Sequence, residues 1–304
     1  MSLKTWLLET RPQFLILSIV LAFLGTSMAW FDGYFNWGRA ILAGFGLILT
    51  HISVNTLNDY FDFRSGVDLK TIRTPFSGGS GMLPANSMKP RQVMWLGTGS
   101  LIIAVFIGVY FVIITGWQLL PLLLVAGICI VLDTPLILKT PAPEWAAGLG
   151  LGTLPILGTY FIQTETYSIN AIIASIPSGI LVYNLLLLNE FPDVEADKIA
   201  NRKTLPIISG LKGAGITYTT TTIIMFLWVI GIVVAGISGL IKVPVFALLG
   251  LLTIPFAVKA IRGALKPNEM SRLIPAMANN VLVVLVTQFL MGVGYILGRI
   301  LLSA

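Results

Sequence analysis

Two short stretches concentrate oxygen ligands in a chain of which only 11% of the residues are charged. The first is NDYFDFRSGVD at 58–68, and the second is NEFPDVEADKIANRKTLP at 189–206. Each follows an apolar run, so both lie where a hydrophobic segment reaches water. Carboxylate and amide oxygens without sulfur or imidazole beside them favour a hard cation, Mg²⁺ or Ca²⁺.

The spacing within the first stretch places its ligands together. Asn58 and Asp62 are four residues apart, which puts them on one face of a helix. Asp68 comes just after Gly66, a residue type that commonly ends helices. We therefore predict that the last ligand of this cluster reaches in from a loop.

The second stretch repeats the four-residue spacing, since Asn189, Asp193 and Asp197 stand at i, i+4 and i+8 and would form one stripe on a helix. Like charges at this spacing repel, and few waters screen them at the rim of a membrane. A cation between the two clusters would relieve the repulsion. Because Mg²⁺ is often held by one or two carboxylates plus substrate phosphates, facing clusters could hold two Mg²⁺ ions and a diphosphate. The alternative is that these charges only cap membrane helices.

The elements that must position these clusters are transmembrane helices. The chain has 304 residues, is 56% hydrophobic and has a mean hydropathy of +0.91. Several runs reach the roughly 20 apolar residues that span a bilayer, and they lack the alternation of barrel strands. This pattern predicts an all-α integral membrane protein with one transmembrane domain over 1–304. The nine predicted spans are 13–30, 37–57, 93–114, 118–133, 144–163, 170–189, 214–237, 241–262 and 275–301.

The basic residues predict an orientation in the membrane. All but three of the 19 Lys and Arg fall in the N-terminal segment or in the longer loops. The exceptions are Arg39, Lys242 and Arg299. By the positive-inside rule, the N-terminus and the loops that carry the two motifs should be cytoplasmic, and the C-terminus should lie outside. The net charge of +6 is explained by this topology and by an anionic ligand, so we expect no nucleic-acid partner.

The two motifs also suggest an internal duplication. NDYFD ends the second predicted span and NEFPD ends the sixth, four spans later. Because four is an even number, the two helices point the same way, which predicts a parallel repeat.

The same two motifs resemble the aspartate-rich motifs of the UbiA superfamily of intramembrane prenyltransferases, and the resemblance covers nearly the whole chain. Members of that family transfer a prenyl chain from a prenyl diphosphate to an acceptor, with Mg²⁺ bound through the diphosphate. The resemblance implies nine helices bundled around a central cavity with an active site on the cytoplasmic side. The implied metal ligands are Asn58, Asp62, Asp68, Asn189, Asp193 and Asp197.

Further site residues follow from the resemblance and from charge. The resemblance implies that Asp62 and Asp193 are catalytic, and a loose match of DTPLILKTP to a Tyr-Pro-x-x-Lys-Arg-like stretch adds Lys139. The side chains predicted to bind diphosphate are Asn58, Asn189, Lys203, Arg73 and Arg202. An arginine offers a bidentate fork to phosphate oxygens. Each basic residue has a rival role as a topology signal.

Two more features lie close to the motifs. His51 stands about two turns before Asn58 and faces roughly the same way. It fits either a residue that orients the acceptor or a buried histidine with its hydrogen bonds satisfied. The stretch 71–90, rich in Gly, Ser and Pro, is predicted to be a mobile loop that could act as a lid.

Within the superfamily, NTLNDYFDFRSGVD, LGTYFIQT and DVEADKIANRKTL are most similar to the branch that prenylates dihydroxynaphthoate for menaquinone. The second motif of that branch often begins Asn-Asn-x-Arg-Asp, whereas here Pro192 takes the place of the Arg. The resemblance implies Mg-dependent prenyl transfer from a polyisoprenyl diphosphate, such as geranylgeranyl diphosphate, to an aromatic quinone precursor. Geranylgeranyl transfer to a glycerol-phosphate ether stays open. A secondary transporter is the alternative of another class, but it would place its ionisable residues near the bilayer midplane.

Overall fold

The structure is a computed structural model that describes residues 2–302, and within that range it is built of helices and loops. Met1, Ser303 and Ala304 lie outside the described residues, and with them the predicted external C-terminus. The α-helices are α1 (Leu3–Glu9), α2 (Pro12–Phe31), α3 (Trp37–Ser65), α4 (Pro90–Thr115), α5 (Leu120–Val131), α6 (Glu144–Gly148), α7 (Leu154–Thr164), α8 (Ile169–Asn189), α9 (Val194–Ile199), α10 (Leu205–Ile237), α11 (Ile254–Ala264) and α12 (Met270–Leu302).

Several helical stretches combine more than one type of helix. A π-helix, Leu149–Thr153, joins α6 to α7, and the 3₁₀ segments Trp117–Leu119 and Val245–Thr253 lead into α5 and α11. In the described part of the chain, eight stretches are long and apolar enough to cross a membrane, and the shorter stretch Trp117–Val131 is a ninth apolar helix. The all-helical membrane fold is thereby confirmed, and each predicted span coincides with a helical stretch.

The helix boundaries have local causes. Pro stands in the first turn of α2, α4, α5, α7, α10 and α11, where its missing N–H is not needed. At the other end of α3, Gly66 has a left-handed φ of 78° and terminates the helix, as predicted. Helix α10 begins at Leu205 rather than at the predicted 214, and the non-helical backbone of Gly210 interrupts it.

The core lies where α2, α7, α8, α10 and α12 meet. Helix α2 packs against α3, α7 and α12, and α8 packs against α10 and α12. Between α8 and α10, Asn184 donates to Thr222 Oγ1 at 3.0 Å and accepts from Thr221 Oγ1 at 2.6 Å, as expected of a polar residue inside a span. Large apolar side chains such as Phe106 and Ile113 point outward instead, toward the position of lipid. The protein is a multi-pass membrane protein.

Candidate active site

The loops 66–89, 132–143 and 190–204 meet at one end of the bundle, called here the motif end. A cavity of about 210 Å³ lies at this end, and we call it the motif cavity. The structure brings together every residue that the sequence predicted as a metal ligand, because all six line this cavity, as does Arg202. They are Asn58, Asp62, Asp68, Asn189, Asp193 and Asp197.

The first cluster is positioned by the last turns of α3 and the turn that follows. Asn58 lies on α3 and donates to Thr134 Oγ1 at 2.9 Å, which ties this helix to the loop after α5. One turn later, Asp62 pairs with Arg202. Asp68 lies beyond the helix in a 3₁₀ turn, Val67–Leu69, as the predicted loop ligand. Its burial, with a smaller contribution from the charge of Asp62, raises the pKa of Asp68 to about 7.

The second cluster differs from the predicted helical stripe. Helix α8 ends at Asn189, a turn follows, and Asp193 then stands at the N-cap position of the short helix α9 without a side-chain capping hydrogen bond. The prediction of one continuous stripe was wrong because Pro192 lacks an N–H for the helix and disfavours helical backbone at Phe191. The turn still directs the cluster into the motif cavity. Burial first, and the charge of Asp197 second, raise the pKa of Asp193 to about 8.

Arg202 bridges the two clusters. One nitrogen of its guanidinium pairs with Asp62 and the other lies 2.7 Å from Asp197 Oδ1. Arg202 therefore supplies positive charge between the two clusters. Among the described residues, no group of three His, Cys, Asp or Glu is arranged to hold a metal ion by itself.

A second arginine network was missed by sequence reasoning, which treated Arg11 as a topology charge. Arg11 pairs with Asp59, whose side chain is 2% exposed. The Ser80 N–H donates to Asp59 Oδ2 at 2.8 Å, and its hydroxyl donates to Glu9 Oε2 at 2.6 Å. The sequence contained one indication that Arg11 belongs to the site. Arg11 stands directly before Pro12 at the start of a span, and therefore at the same end of the bundle as the motifs.

The loop between α3 and α4 lies against this network. Residues Phe76 to Gly79 help to line the motif cavity. Gly79 has a φ of 72°, and a Cβ there would lie 3.1 Å from Asp59 Oδ1 and 3.2 Å from Arg11 Nη2, so this close approach requires glycine. The exposed Arg73 braces the loop from outside by donating to the carbonyl oxygens of Gly78, Gly79 and Ser80.

The other predicted basic contacts lie away from the cavity. Lys139 and Lys203 are exposed and are not part of its lining. Their loops are joined through backbone, since the Lys203 N–H donates to Leu138 O at 3.0 Å. The roles predicted for these two lysines stay predictions. Asp133, from the same loop as Lys139, does line the cavity, and burial raises its pKa to about 6 against the opposing charge of Arg202.

Two buried glutamates complete the motif end. Glu144 is fully buried, and its Oε1 accepts from the Leu205 N–H at 2.5 Å at the start of α10. Glu190 lines the cavity, and its carboxyl group lies within hydrogen-bonding reach of the carboxyl group of Glu144. Burial, reinforced by the charge of Glu144, raises the pKa of Glu190 well above its usual range. Sequence reasoning assigned a role to neither glutamate.

The donor set fits a hard cation that takes part of its ligands from a phosphate. The ligand atoms are all oxygens, and Asn189 Oδ1 and Asp193 Oδ1 are buried with no hydrogen-bond partner. Buried polar atoms are normally satisfied, so these two oxygens indicate a missing positive partner. His51, by contrast, is satisfied, with Nδ1 at 3.0 Å from Ser18 Oγ, although it also lines the cavity.

Ionisable side chains inside a membrane bundle are costly and mark functional sites, so the carboxylates that line the motif cavity define the candidate site of this membrane protein. The family follows from comparison with known sequences. The chain belongs to the UbiA prenyltransferase family, which residues 16–296 match. It is therefore a prenyltransferase, as its two motifs predicted.

Relatives and solved structures agree with this assignment. The chain is 32% identical to 1,4-dihydroxy-2-naphthoate octaprenyltransferase of Bacillus subtilis (strain 168), over 95% of this chain and 91% of the relative, which confirms the predicted branch. A structure of digeranylgeranylglyceryl phosphate synthase matches with a TM-score of 0.65 at 16% identity, over 97% and 98% of the two chains. A UbiA homolog from Archaeoglobus fulgidus bound to DMAPP and Mg²⁺ matches at 0.64 with 14% identity, over 92% and 99%. At these identities the structural matches show the shared fold.

Proposed function

We propose that the protein transfers a prenyl chain from a polyisoprenyl diphosphate to an aromatic quinone precursor of the dihydroxynaphthoate type and releases diphosphate. The observation that carries the proposal is the convergence of both oxygen-ligand clusters, one from each half of the chain, on a single cavity in the bundle. The name of the relative from Bacillus subtilis supports the acceptor class.

We assign the binding of two Mg²⁺ ions to the two clusters. The residues that would hold them are Asn58, Asp62, Asp68, Asn189, Asp193 and Asp197. When bound, Mg²⁺ neutralises the charge that develops on the leaving diphosphate. The solved homolog with DMAPP and Mg²⁺ supports this choice of ion.

Arg202 acts on the leaving group. Its two nitrogens are presented as a fork by Asp62 and Asp197, which suits bidentate contact with phosphate oxygens. The negative charge on diphosphate grows as the allylic C–O bond breaks. The contact therefore lowers the energy of the transition state more than that of the bound substrate.

The inner part of the motif cavity protects the allylic cation from water. Its walls include Leu17, Val54, Leu151 and Val182, which offer hydrocarbon rather than a nucleophile. The acceptor carbon bonds to C1 of the prenyl chain, the C–O pair leaves with diphosphate, and the acceptor loses a proton. We assign that proton to Asp133, a cavity carboxyl outside the two clusters, on the loop after α5.

The position of the charges argues against the transporter alternative. All the cavity carboxylates lie at the motif end, whereas coupling-ion sites of transporters lie near the bilayer midplane. We propose that the motif end faces the cytoplasm, because the basic residues of the chain collect there.

Turnover by the purified protein tests the proposal. Labelled geranylgeranyl diphosphate and Mg²⁺ would be supplied with either 1,4-dihydroxy-2-naphthoate or a glycerol-phosphate ether. We expect prenylated naphthoate and free diphosphate, and no product after chelation of Mg²⁺. Product with the ether alone would overturn the acceptor class. Intact diphosphate with every acceptor would overturn the enzyme assignment for this substrate class.

A further inference from the structure

His51 lines the motif cavity, and the proposed function gives it no part. Its side chain is 4% exposed. It stands seven residues before Asn58 on α3, about 10 Å farther from the motif end at 1.5 Å per residue, and on roughly the same face of the helix. The neighbouring walls of the cavity include the hydrocarbon side chains of Leu17, Val54 and Leu151. A hydrogen-bonding group in such surroundings calls for a matching group on the ligand.

One edge of the imidazole ring is held by Ser18 on α2. The Ser18 hydroxyl donates to Leu47 O at 3.2 Å, and its oxygen lies 3.0 Å from His51 Nδ1. Because a hydroxyl has one proton, this oxygen accepts a hydrogen bond from Nδ1 while it donates to Leu47. The arrangement assigns the ring proton to Nδ1 and leaves Nε2 of the neutral ring as an acceptor.

The other edge of the ring faces the motif cavity. Ser18 does not line that cavity, whereas His51 does, so the edge turned away from Ser18 is the one that borders the open space. Within residues 2–302, no group makes a hydrogen bond to Nε2. A buried side chain thus presents an unpaired acceptor nitrogen to whatever occupies the cavity.

Among the parts of the proposed reactants, the aromatic acceptor matches this nitrogen. The prenyl tail is hydrocarbon and has no proton to donate in a hydrogen bond. The diphosphate offers oxygens rather than donors, and its proposed place is at Asn58 and Asp62, at the motif end. A hydroxyl on an aromatic ring, by contrast, donates directly to a neutral imidazole nitrogen.

We propose that His51 Nε2 accepts a hydrogen bond from a ring hydroxyl of the aromatic acceptor, and that this contact selects hydroxylated acceptors and fixes which ring carbon meets C1 of the prenyl chain. The inference rests on the proposed function. As the ring carbon bonds to C1, positive charge spreads from the ring to the hydroxyl oxygen, so the hydroxyl becomes a stronger donor. The contact therefore strengthens in the transition state. The hydroxyl keeps its proton, and the proton lost by the acceptor goes to Asp133 as assigned above.

Two variants separate the two edges of the ring. In His51→Asn, the side-chain amide nitrogen lies near the position of Nδ1 and keeps the bond to Ser18, while nothing occupies the position of Nε2. In His51→Gln, the amide lies near the position of Nε2, where its carbonyl oxygen accepts from the substrate, while the bond to Ser18 is lost. A role in packing α2 on α3 makes Gln the more impaired variant, and a role in acceptor binding makes Asn the more impaired one.

Acceptor preference is the measurement. The quantity is kcat/KM with 1,4-dihydroxy-2-naphthoate and with its two monomethyl ethers, at saturating geranylgeranyl diphosphate and Mg²⁺. We expect the unmodified protein to prefer the dihydroxy compound over at least one ether by about tenfold or more, and His51→Asn to reduce that preference by about tenfold, the effect of one lost hydrogen bond. His51→Gln should keep most of the preference. The KM for geranylgeranyl diphosphate should stay within about twofold in both variants, because its diphosphate binds at a distant part of the cavity.

Ser53→Ala is the matched control. Ser53 lies on the same helix and is fully buried, but its hydroxyl has no hydrogen-bond partner among the described residues and does not line the motif cavity. This variant also removes a buried polar group from α3, and it should keep the acceptor preference of the unmodified protein.

The outcomes separate the inference from the proposed function. An unmodified protein that prenylates no aromatic acceptor overturns the function. An active protein overturns the inference if it discriminates against neither ether, if it keeps its preference in His51→Asn, or if Gln impairs it more than Asn does. If His51→Asn does not fold, His51→Leu decides, because it removes Nε2 and leaves Ser18 donating to Leu47 O. Its preference should fall as expected for Asn, and an unchanged preference overturns the inference.

Discussion

At the scale of single residues, Arg202 joins the two acidic clusters. Its guanidinium lies between Asp62 and Asp197, so two carboxylates that would repel each other share one positive partner. Binding of a metal–diphosphate complex offers the carboxylates a new partner and offers the arginine the phosphate oxygens. Under the proposed function, the side chain that neutralises these two carboxylates also contacts the leaving diphosphate.

Substitution of the central aspartates should separate catalysis from folding. Asp62→Asn and Asp193→Asn keep the size of the side chain and remove the charge. We expect kcat to fall by at least about 10²-fold, since electrostatic stabilisation of a leaving group is of this order or larger. Both variants should still unfold in one cooperative thermal transition, which shows that the fold is retained.

Glu195→Gln is the control for these two variants. Glu195 stands between Asp193 and Asp197 in the sequence, but its side chain is 84% exposed and pairs with Lys198. It should retain full turnover. Retention of full activity in both aspartate variants would show that the metal assignment is wrong.

The raised pKa values at the motif end predict a pH dependence. Asp193, with a pKa of about 8, keeps a proton in the folded protein that the unfolded chain releases above about pH 4. This carboxyl therefore lowers the stability of the ligand-free protein as the pH rises from about 4 to about 8. Metal binding needs the deprotonated form, so stabilisation by Mg²⁺ with pyrophosphate should be larger at pH 8.5 than at pH 6.

Thermal unfolding at the two pH values, with and without Mg²⁺ and pyrophosphate, measures this difference. Asp193→Asn is the comparison, because it cannot titrate and should show a smaller change between the two pH values. An equal ligand-induced shift at pH 6 and pH 8.5 in the unmodified protein would contradict the prediction.

At the scale of elements, the loop between α3 and α4 is held to the site by few contacts. The Ser80 hydroxyl donates to the buried Glu9, and its backbone N–H donates to Asp59. Arg73 of the same loop donates to the carbonyl oxygens of Gly78 and Gly79. Farther along the loop, Leu83 and Met88 are buried in an apolar cluster with Val93. The part of the loop that opens by losing only hydrogen bonds is therefore the segment around Ser80.

Ser80→Ala should release this loop. It removes the 2.6 Å bond to Glu9, and a hydrogen bond to a charged group contributes about 1.5 kcal/mol, or roughly a tenfold change in the population of the open loop. Trypsin cleavage after Arg73 should accelerate accordingly. Ser87→Ala, on an exposed position of the same loop, should leave the cleavage rate unchanged, and equal rates for all three proteins would contradict the anchoring role.

Sequence patterns predicted the helices better than the turns that connect them. Hydrophobic runs located every span, and Gly66 marked the end of α3, because length and backbone restriction are local properties. The prediction that Asn189 and Asp197 lie on one continuous helix was wrong. Pro192 interrupts the helix between them, although the spacing of the polar residues is helical.

At the scale of the whole molecule, the sequence predicted those parts of the site that each motif contains within its own few residues. Each cluster could be placed at the end of a span from its own sequence. The pairing of Arg11 with Asp59 joins positions far apart in the chain, and it depends on how α2 packs on α3, which no local pattern contains. Exposure of Lys139 and Lys203 is likewise a property of the folded loops.

The orientation of the bundle can be tested with single cysteines. Cys129 is the one cysteine of the sequence and is buried, so Cys129→Ala gives a background without accessible thiols. In intact cells, a membrane-impermeant maleimide should label Ser238→Cys, at the end opposite the motifs, and should not label Ser87→Cys. Both should be labelled after the membrane is opened, and labelling of Ser87→Cys alone in intact cells would reverse the proposed topology.

The contact between α2 and α12 bears on biosynthesis. Phe23 stacks on Phe289 with ring centroids 5.3 Å apart, and Phe31 meets Tyr295 edge-on at 5.6 Å. The first spanning helix emerges from the ribosome long before the partner for this face exists. Its aromatic side chains must therefore remain against lipid or an insertion factor until α12 arrives, so closure of the bundle is a late, post-insertion event.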